Sequence, residues 1–352
     1  MREVAVVGFA EAPNVRRTDG TTNGVEMLVP VFREVFEQTG LTKGDIDFWC
    51  SGSSDYLAGR AFSFVSAVDA IGAFPPVMES HVEMDAAFAL YEAWIKVLSG
   101  EADIALAYGF GKSSAGDLRR VLALQLDPYV MAPLWPDSVS IAALQARLGL
   151  DKGLWTERGM AEVAARSRAA AVANSRAQLA GEVGPDDLLS APYIAEPLRA
   201  HDCAPITDGA AVVIIAAAER AARLSVRPAW ITGFEHRIDS GSFGARDLTT
   251  SPSAAAASSA ASADGASIDV AELHAPFTHQ EIILRAALGL PESVRISPSG
   301  GALAGNPMFA AGLARIGHAA RQISTGGADR ALGHATSGPA LQQNLVCVME
   351  AR

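Results

Sequence analysis

The sequence predicts an α/β protein made of two fused halves with similar strand order, and three observations carry that prediction. First, apolar runs of strand length alternate with stretches of helical periodicity through most of the chain. Second, the second half restates the first in the same order. Glu3-Val4-Ala5-Val6-Val7-Gly8-Phe9 returns as Pro228-Ala229-Trp230-Ile231-Thr232-Gly233-Phe234. Gly44-Asp45-Ile46-Asp47-Phe48 returns as Ser267-Ile268-Asp269-Val270-Ala271, and Ala102-Asp103-Ile104-Ala105-Leu106 as Ala328-Asp329-Arg330-Ala331-Leu332. Ordered self-similarity indicates a repeated architecture, and it places a site between the halves, near matching strand ends and helix starts. Third, residues 78–112 hold a complete turn, helix and strand. Phe88, Tyr91, Trp94, Ile95 and Leu98 recur at helical spacing, and Gly100 sits where a left-handed cap ends the helix. The apolar run 104–108 suits a strand covered on both faces. Glu83 and Asp85 fall in the first turn, where unpaired N–H groups and the helix dipole favour negative charge.

The other elements follow in order. Residues 3–8 read as a central strand, 25–38 as a helix and 46–50 as a second strand. A polar turn from Ser51 leads into another helix, and 77–79 is a short strand. Residues 113–198 change character, with helical pieces at 138–148 and 160–179, turns at Pro128, Pro133 and Pro136, and few strands. That stretch reads as a loop subdomain inserted on one side of a sheet. Thr207-Asp208-Gly209 is a turn into a buried strand at 210–216. The alanine-rich run 251–263 is expected to be a helix rather than a flexible linker, since alanine is a strong helix former. The two halves are then 1–222, including the insert, and 223–352.

Composition excludes several functions. With 49% apolar and 19% charged residues over 352 positions, the chain can bury a sizeable core. A formal charge of -11 argues against nucleic acid, which requires clustered Lys and Arg. Arg60, Arg119 and Arg120 are available for a local basic patch toward an anionic ligand. Cys50, Cys203 and Cys347 give neither a disulfide framework nor a paired metal spacing, and Cys50 and Cys347 read as buried structural thiols. No metal-ligand set is visible, so any zinc is expected to belong to a partner. No apolar stretch is long enough to span a membrane and the N-terminus reads as a strand, which makes a cytoplasmic location the expectation.

Five further stretches carry a resemblance. They are Pro205-Ile206-Thr207-Asp208-Gly209-Ala210-Ala211, Glu272-Leu273-His274-Ala275-Pro276-Phe277, Ser297-Pro298-Ser299-Gly300-Gly301, Gly305-Asn306-Pro307 and Gly333-His334-Ala335-Thr336-Ser337-Gly338. In that order and at these spacings, over nearly its whole length, the chain resembles the thiolase superfamily. It is most similar to the branch of sterol carrier protein X thiolases and actinobacterial lipid-transfer-protein-like thiolases. The resemblance implies a thiolase fold: two fused βαβαβαββ-type halves in a five-layered α-β-α-β-α arrangement, forming a tightly associated dimer. It also implies CoA as part of a thioester substrate, with no tightly bound cofactor.

The departures from the family matter more. Family thiolases carry a nucleophilic cysteine at the start of the main helix of the first half, and counting back from Gly100 places that position at Glu83. A carboxylate does not exchange thioesters as a thiolate does. The C-terminal loop that supplies a second cysteine in the family reads His334 to Gly338 here. The Asn-Glu-Ala-Phe-type site becomes His274-Ala275-Pro276-Phe277 and the Gly-His-Pro site becomes Gly305-Asn306-Pro307, so Asn and His exchange places.

A retained polar pair without thiols points to carbon–carbon chemistry without an acyl-enzyme. Retro-aldol cleavage of a β-hydroxyacyl-CoA fits, with His274 and Asn306 supporting the enolate. The candidate bases, in order of preference, are His334, Asp85, Glu83 and Tyr56. Ser251, Gly300 and Gly301 are the candidates for contact with the CoA portion. The resemblance adds a steroid side-chain CoA as substrate class and a small zinc-ribbon/OB-fold protein as partner. Each residue also has a structural reading. His274 and His334 can be satisfied buried histidines, and Asn306 can cap a helix beginning near Pro307. Glu83 and Asp85 can answer a helix dipole, Tyr56 can pack, and the glycines can serve a tight turn. The competing function is a thiolase-like subunit that has lost its nucleophile and pairs with an active paralogue. A thiolase using one of the remaining cysteines ranks last.

Overall fold

The computed structural model describes residues 2–19, 22–54 and 63–352; Tyr56 and Arg60 therefore lie outside the described residues. The strands in chain order are β1 Val4–Glu11, β2 Phe48–Gly52, β3 Glu79–Val82, β4 Ile104–Gly111, β5 Tyr193–Ala195, β6 Leu198–Arg199, β7 Ile206–Thr207, β8 Gly209–Ala217, β9 Ala229–Ile238, β10 Val270–Glu272, β11 Arg295–Ile296, β12 Asn306–Pro307, β13 Arg330–Ser337 and β14 Gln343–Glu350. Ten of them form one sheet in the order β11-β10-β13-β14-β9-β1-β8-β4-β2-β3. Read outward from the central β1–β9 contact, the two sides match strand for strand. On one side β8, β4, β2 and β3 follow β1; on the other β14, β13, β10 and β11 follow β9. The directions match too, since β2 runs parallel to β3 and β4 while β10 runs parallel to β11 and β13. The repeat read in the sequence is thus a repeat of strand order. The halves meet where Ala5 pairs with Trp230 and Val6 with Ala229.

Alternation along the strands sorts the side chains into three cores, giving five layers. Val213 and Ile215 of β8 face a middle core with Ala105 and Ala107 of β4, and Ala331, Ala335 and Cys347 reach it from the second half. Between the sheet faces lie helices Ala86–Ser99 and Ala311–Ser324. Many of their core residues are small: Ala86, Ala89 and Ala93 on one, Ala314, Ala319 and Ala320 on the other, which lets two helices fit between two sheet faces. Val212, Ile214, Leu106 and Trp49 point the other way, under helix Gly24–Thr39. That helix is closed at its start by an Asn23–Glu26 capping box and at its end by Gly40 in the left-handed region. Leu332, Val346 and Val348 face the opposite outer core, under helices Pro252–Ala260 and Thr278–Ala287. The alanine-rich run is therefore a helix, as expected.

The segment after β4 crosses to the other half. Helix Ser138–Asp151, the turn after it and the start of helix Glu157–Ala171 place Ala142, Ala146, Trp155 and Met160 against Leu273, Ile283 and Leu284 of the second outer core. Several element boundaries differ from the sequence reading, among them the second strand, which is Phe48–Gly52 rather than 46–50. The expected helix over 160–179 ends at Ala171, and Asn174 instead closes a turn, accepting from Arg176 N–H and donating to Ser299 O. The short strand before the main helix is Glu79–Val82 rather than 77–79, because its register is set by parallel pairing with Trp49 to Gly52. Pro307 does not begin a helix. Asn306 and Pro307 pair as β12 with Ile206 and Thr207, and the helix starts only at Ala311.

Candidate active site

The site lies where the middle-layer helices begin. Helix Ala86–Ser99 is capped by Asp85, whose Oδ1 accepts from Ala87 N–H at 2.9 Å. The same carboxylate accepts from Gly312 N–H at 2.9 Å and Leu313 N–H at 3.0 Å, in the first turn of helix Ala311–Ser324. One buried side chain thus serves the free N–H groups of two helices. Burial pushes the Asp85 pKa above the ordinary aspartate value, against the pull of these donors and of the Arg315 guanidinium. Asp85, not Glu83, therefore occupies the start of the main helix. Glu83, the position reached by counting back from Gly100, lies two residues earlier, directly after the strand Glu79–Val82. Glu83 is exposed, 3.6 Å from His81 Nε2, and borders the cavity described below.

The second half brings its pair to the same place. His274 follows β10, and Asn306 lies in β12. His274 Nδ1 receives Thr336 N–H at 3.4 Å, so the proton of the neutral ring sits on Nε2, which donates to Asn306 Oδ1 at 3.1 Å. Burial pushes the His274 pKa down to about 4, with the Asn306 hydrogen bond opposing and Arg315 assisting. The ring is therefore uncharged at neutral pH. With Oδ1 committed to His274, Asn306 Nδ2 is left without a hydrogen-bond partner among the described residues. The loop that carries Asn306 is pressed onto β4: a Cβ on Gly109 would lie 2.5 Å from Phe309 O. Phe309, held at a φ of 67°, uses that carbonyl to accept from Ala86 N–H at 2.8 Å, locking the loop to the main helix.

Asp85, His274 and Asn306 line one cavity of about 680 Å³. The insert closes it with Leu118, Leu122, Leu126 and Ile141, and the second half adds Phe277 and Leu341. Arg119 lines it, 3.4 Å from Asp137, while Arg120 lines a neighbouring hollow instead, so of the two described arginines considered for a basic patch one borders the cavity. Cys203 is the one thiol among the described lining residues. Burial, followed by the Asp202 and Asp137 carboxylates, pushes its pKa up to about 12, which keeps it protonated.

Other candidates lie elsewhere. His334 is not in a loop: β13 continues to Ser337, and alternation turns His334 into the outer core, fully buried and 3.0 Å from Asn344 Oδ1. It is not among the cavity's lining residues, and burial holds its pKa down at about 3, so it accepts no proton at neutral pH. Ser251 is buried beneath Asn344, whose Nδ2 donates to its Oγ at 3.2 Å. Gly300 and Gly301 form a left-handed turn, with φ of 94° and 64°, and Gly300 O accepts from Ser167 Oγ at 2.5 Å. None of these three lines the cavity; their environment is internal packing. Thr336 and Gln280, which do line it, were not among the sequence candidates. Thr336 lies two residues from His334 on the same strand face, and Gln280 lies in a run of polar residues with no periodic signal.

No family model matches the chain. It is 26% identical over 353 residues to an acetyl-CoA acetyltransferase of Methanothermobacter thermautotrophicus, covering 92% of this chain and 91% of that one. Its fold matches human mitochondrial 3-ketoacyl-CoA thiolase with a TM-score of 0.81 at 16% identity, over 99% of each chain. It matches the Ltp2-ChsH2(DUF35) aldolase with the same TM-score at 17% identity, over 99% of this chain and 98% of that one. The chain has the thiolase fold, and its sequence is similar along more than nine-tenths of its length to an acetyl-CoA acetyltransferase.

Proposed function

We propose that the chain is a carbon–carbon lyase that cleaves a β-hydroxyacyl-CoA by a retro-aldol reaction. The observation that carries this reading is Asp85 at the start of the main helix, on the same cavity as the His274–Asn306 pair. A carboxylate there serves as a base and not as an acyl carrier. In the proposed reaction the Asp85 carboxylate takes the β-hydroxyl proton and the Cα–Cβ bond breaks. Its electron pair moves into the thioester as an enolate, and a ketone or aldehyde leaves. Asn306 Nδ2, oriented by His274, holds the enolate oxygen. The proton returns from Asp85 to the α-carbon, so no co-reactant is required. The volume and apolar lining of the cavity suit a bulky polycyclic acyl group such as a steroid side-chain CoA, with CoA entering as part of the substrate.

The test is ketone release from a β-hydroxyacyl-CoA bearing a tertiary hydroxyl, with Asp85→Asn and Asn306→Ala as controls. Release lost in both variants supports the reading. A second reading is a thiolase-like subunit that acts only with another chain, and the two-component name of the Ltp2-ChsH2(DUF35) aldolase favours testing it. Cleavage that requires an added small partner or a second thiolase-like chain separates the two. No described helix is long and apolar enough to cross a membrane.

A further inference from the structure

One wall of the cavity carries a fixed amide that the proposed cleavage does not use. Gln280, in the first turn of helix Thr278–Ala287, lines the cavity and is 3% exposed. Its Nε2 donates to Gln145 Oε1 at 2.9 Å. Gln145 is fully buried on helix Ser138–Asp151, and its own Nε2 donates to Leu248 O at 2.8 Å. His279 Nε2 is the second donor to Gln145 Oε1, at 3.1 Å.

This chain determines which way both amides point. A backbone carbonyl only accepts, so Gln145 must present its NH₂ to Leu248 and its oxygen to Gln280. That oxygen also only accepts, so Gln280 must present its NH₂ to Gln145 and leave Oε1 free. No hydrogen-bond partner meets Gln280 Oε1 among the described residues. The same cavity is lined by apolar Ile141 and Ala142 from the helix that carries Gln145 and by Phe277, three residues before Gln280. An amide oxygen on the cavity wall loses its hydration when an apolar ligand fills the cavity, which disfavours ligands that offer it no donor.

We infer that Gln280 is a specificity-determining residue that selects, through Oε1, an acyl group bearing a hydroxyl. The inference rests on reading the cavity as the acyl-CoA site. The hydroxyl is either the one at the β-carbon or a second one on the distal part of the acyl group, and the test distinguishes them. Thioether-linked CoA analogues, which form no enolate and are not cleaved, are titrated calorimetrically into the full chain. One matched pair differs in the β-hydroxyl and the other in a distal ring hydroxyl. The hydroxylated member of one pair is expected to bind about tenfold more tightly or better. Gln280→Met removes the acceptor and Gln280→Asn withdraws it, and each should bring the ratio close to one without weakening the deoxy member. Thermal melts identify which variant is folded, and either suffices. Equal binding within both pairs by the native chain overturns the inference, as does a ratio that survives the substitutions. A retained ratio without any cleavage supports it while refuting the aldolase reading; cleavage without a ratio does the reverse.

Discussion

Asp85 and Gly312 are joined across the middle layer: the Gly312 N–H, near the start of one central helix, donates at 2.9 Å to the carboxylate that caps the other. The contact makes the proposed base part of the fold as well. Asp85→Ala removes a cap and leaves the Gly312 and Leu313 N–H groups buried without an acceptor. The expected loss is about 3 kcal/mol, from roughly 1 for the cap and 1–3 for stranded donors. Asp85→Asn keeps one acceptor oxygen and should lose less. Urea denaturation of both variants checks the order, and equal losses would contradict it.

Gly312 itself cannot change. A Cβ there would lie 2.6 Å from Asp85 Oδ1 and 2.6 Å from the Ala335 Cβ. Gly312→Ala should therefore lower the melting temperature and abolish turnover together. Gly109→Ala, whose Cβ meets Phe309 O, should shift the loop carrying Asn306 and reduce kcat/KM more than it reduces stability. Comparable effects of Gly109→Ala on both quantities would argue against a role for that loop in positioning Asn306.

Three buried histidines make the fold acid-sensitive. Burial lowers His274 to about 4, and His279 and His334 to about 3, from an unfolded value of 6.5. Below pH 6.5 the unfolded chain binds protons that the folded chain refuses, so stability falls as pH drops toward those folded values. Each histidine contributes a slope of about 1.4 kcal/mol per pH unit in that window. Urea midpoints measured from pH 7.5 to 5 should fall steeply below pH 6.5. His279→Gln should flatten the slope, and a flat native profile would contradict the neutral, buried assignment.

Much of the fold was legible because strand order is written in repeated apolar runs: the restatement of Glu3 to Phe9 at Pro228 to Phe234 corresponds to β1 and β9, which meet at the centre of the sheet. His274 and Asn306 were also marked by short motifs; the structure puts His274 just after β10 and Asn306 in β12, on one cavity. The base was harder. Glu83 and Asp85 lie two residues apart before the helix, and spacing does not encode that Asp85 is the one that caps it. His334 was misread as a loop residue because the strand runs on to Ser337; the ring shares a face with Thr336 but lies two residues earlier along the strand, fully buried beside Asn344. Gln280 was invisible because helix Thr278–Ala287 buries Thr278, His279, Gln280 and Glu281 in succession, a pattern that tertiary contacts with the insert create.

Cys203 offers a check on thiol chemistry. Its thiol borders the cavity but stays protonated at neutral pH. Cys203→Ser should leave turnover within about twofold, because a side chain that touches the reaction only through packing contributes little. A collapse of activity would restore a covalent mechanism.

The most direct test of the central claim is the pH profile of ketone release from a tertiary β-hydroxyacyl-CoA by the native chain and by Asp85→Asn. The account predicts release whose kcat/KM rises with pH through a pKa above the usual aspartate range, and its loss in the variant. Release by Asp85→Asn at the native rate, or CoA-dependent thiolysis in place of release, would contradict it.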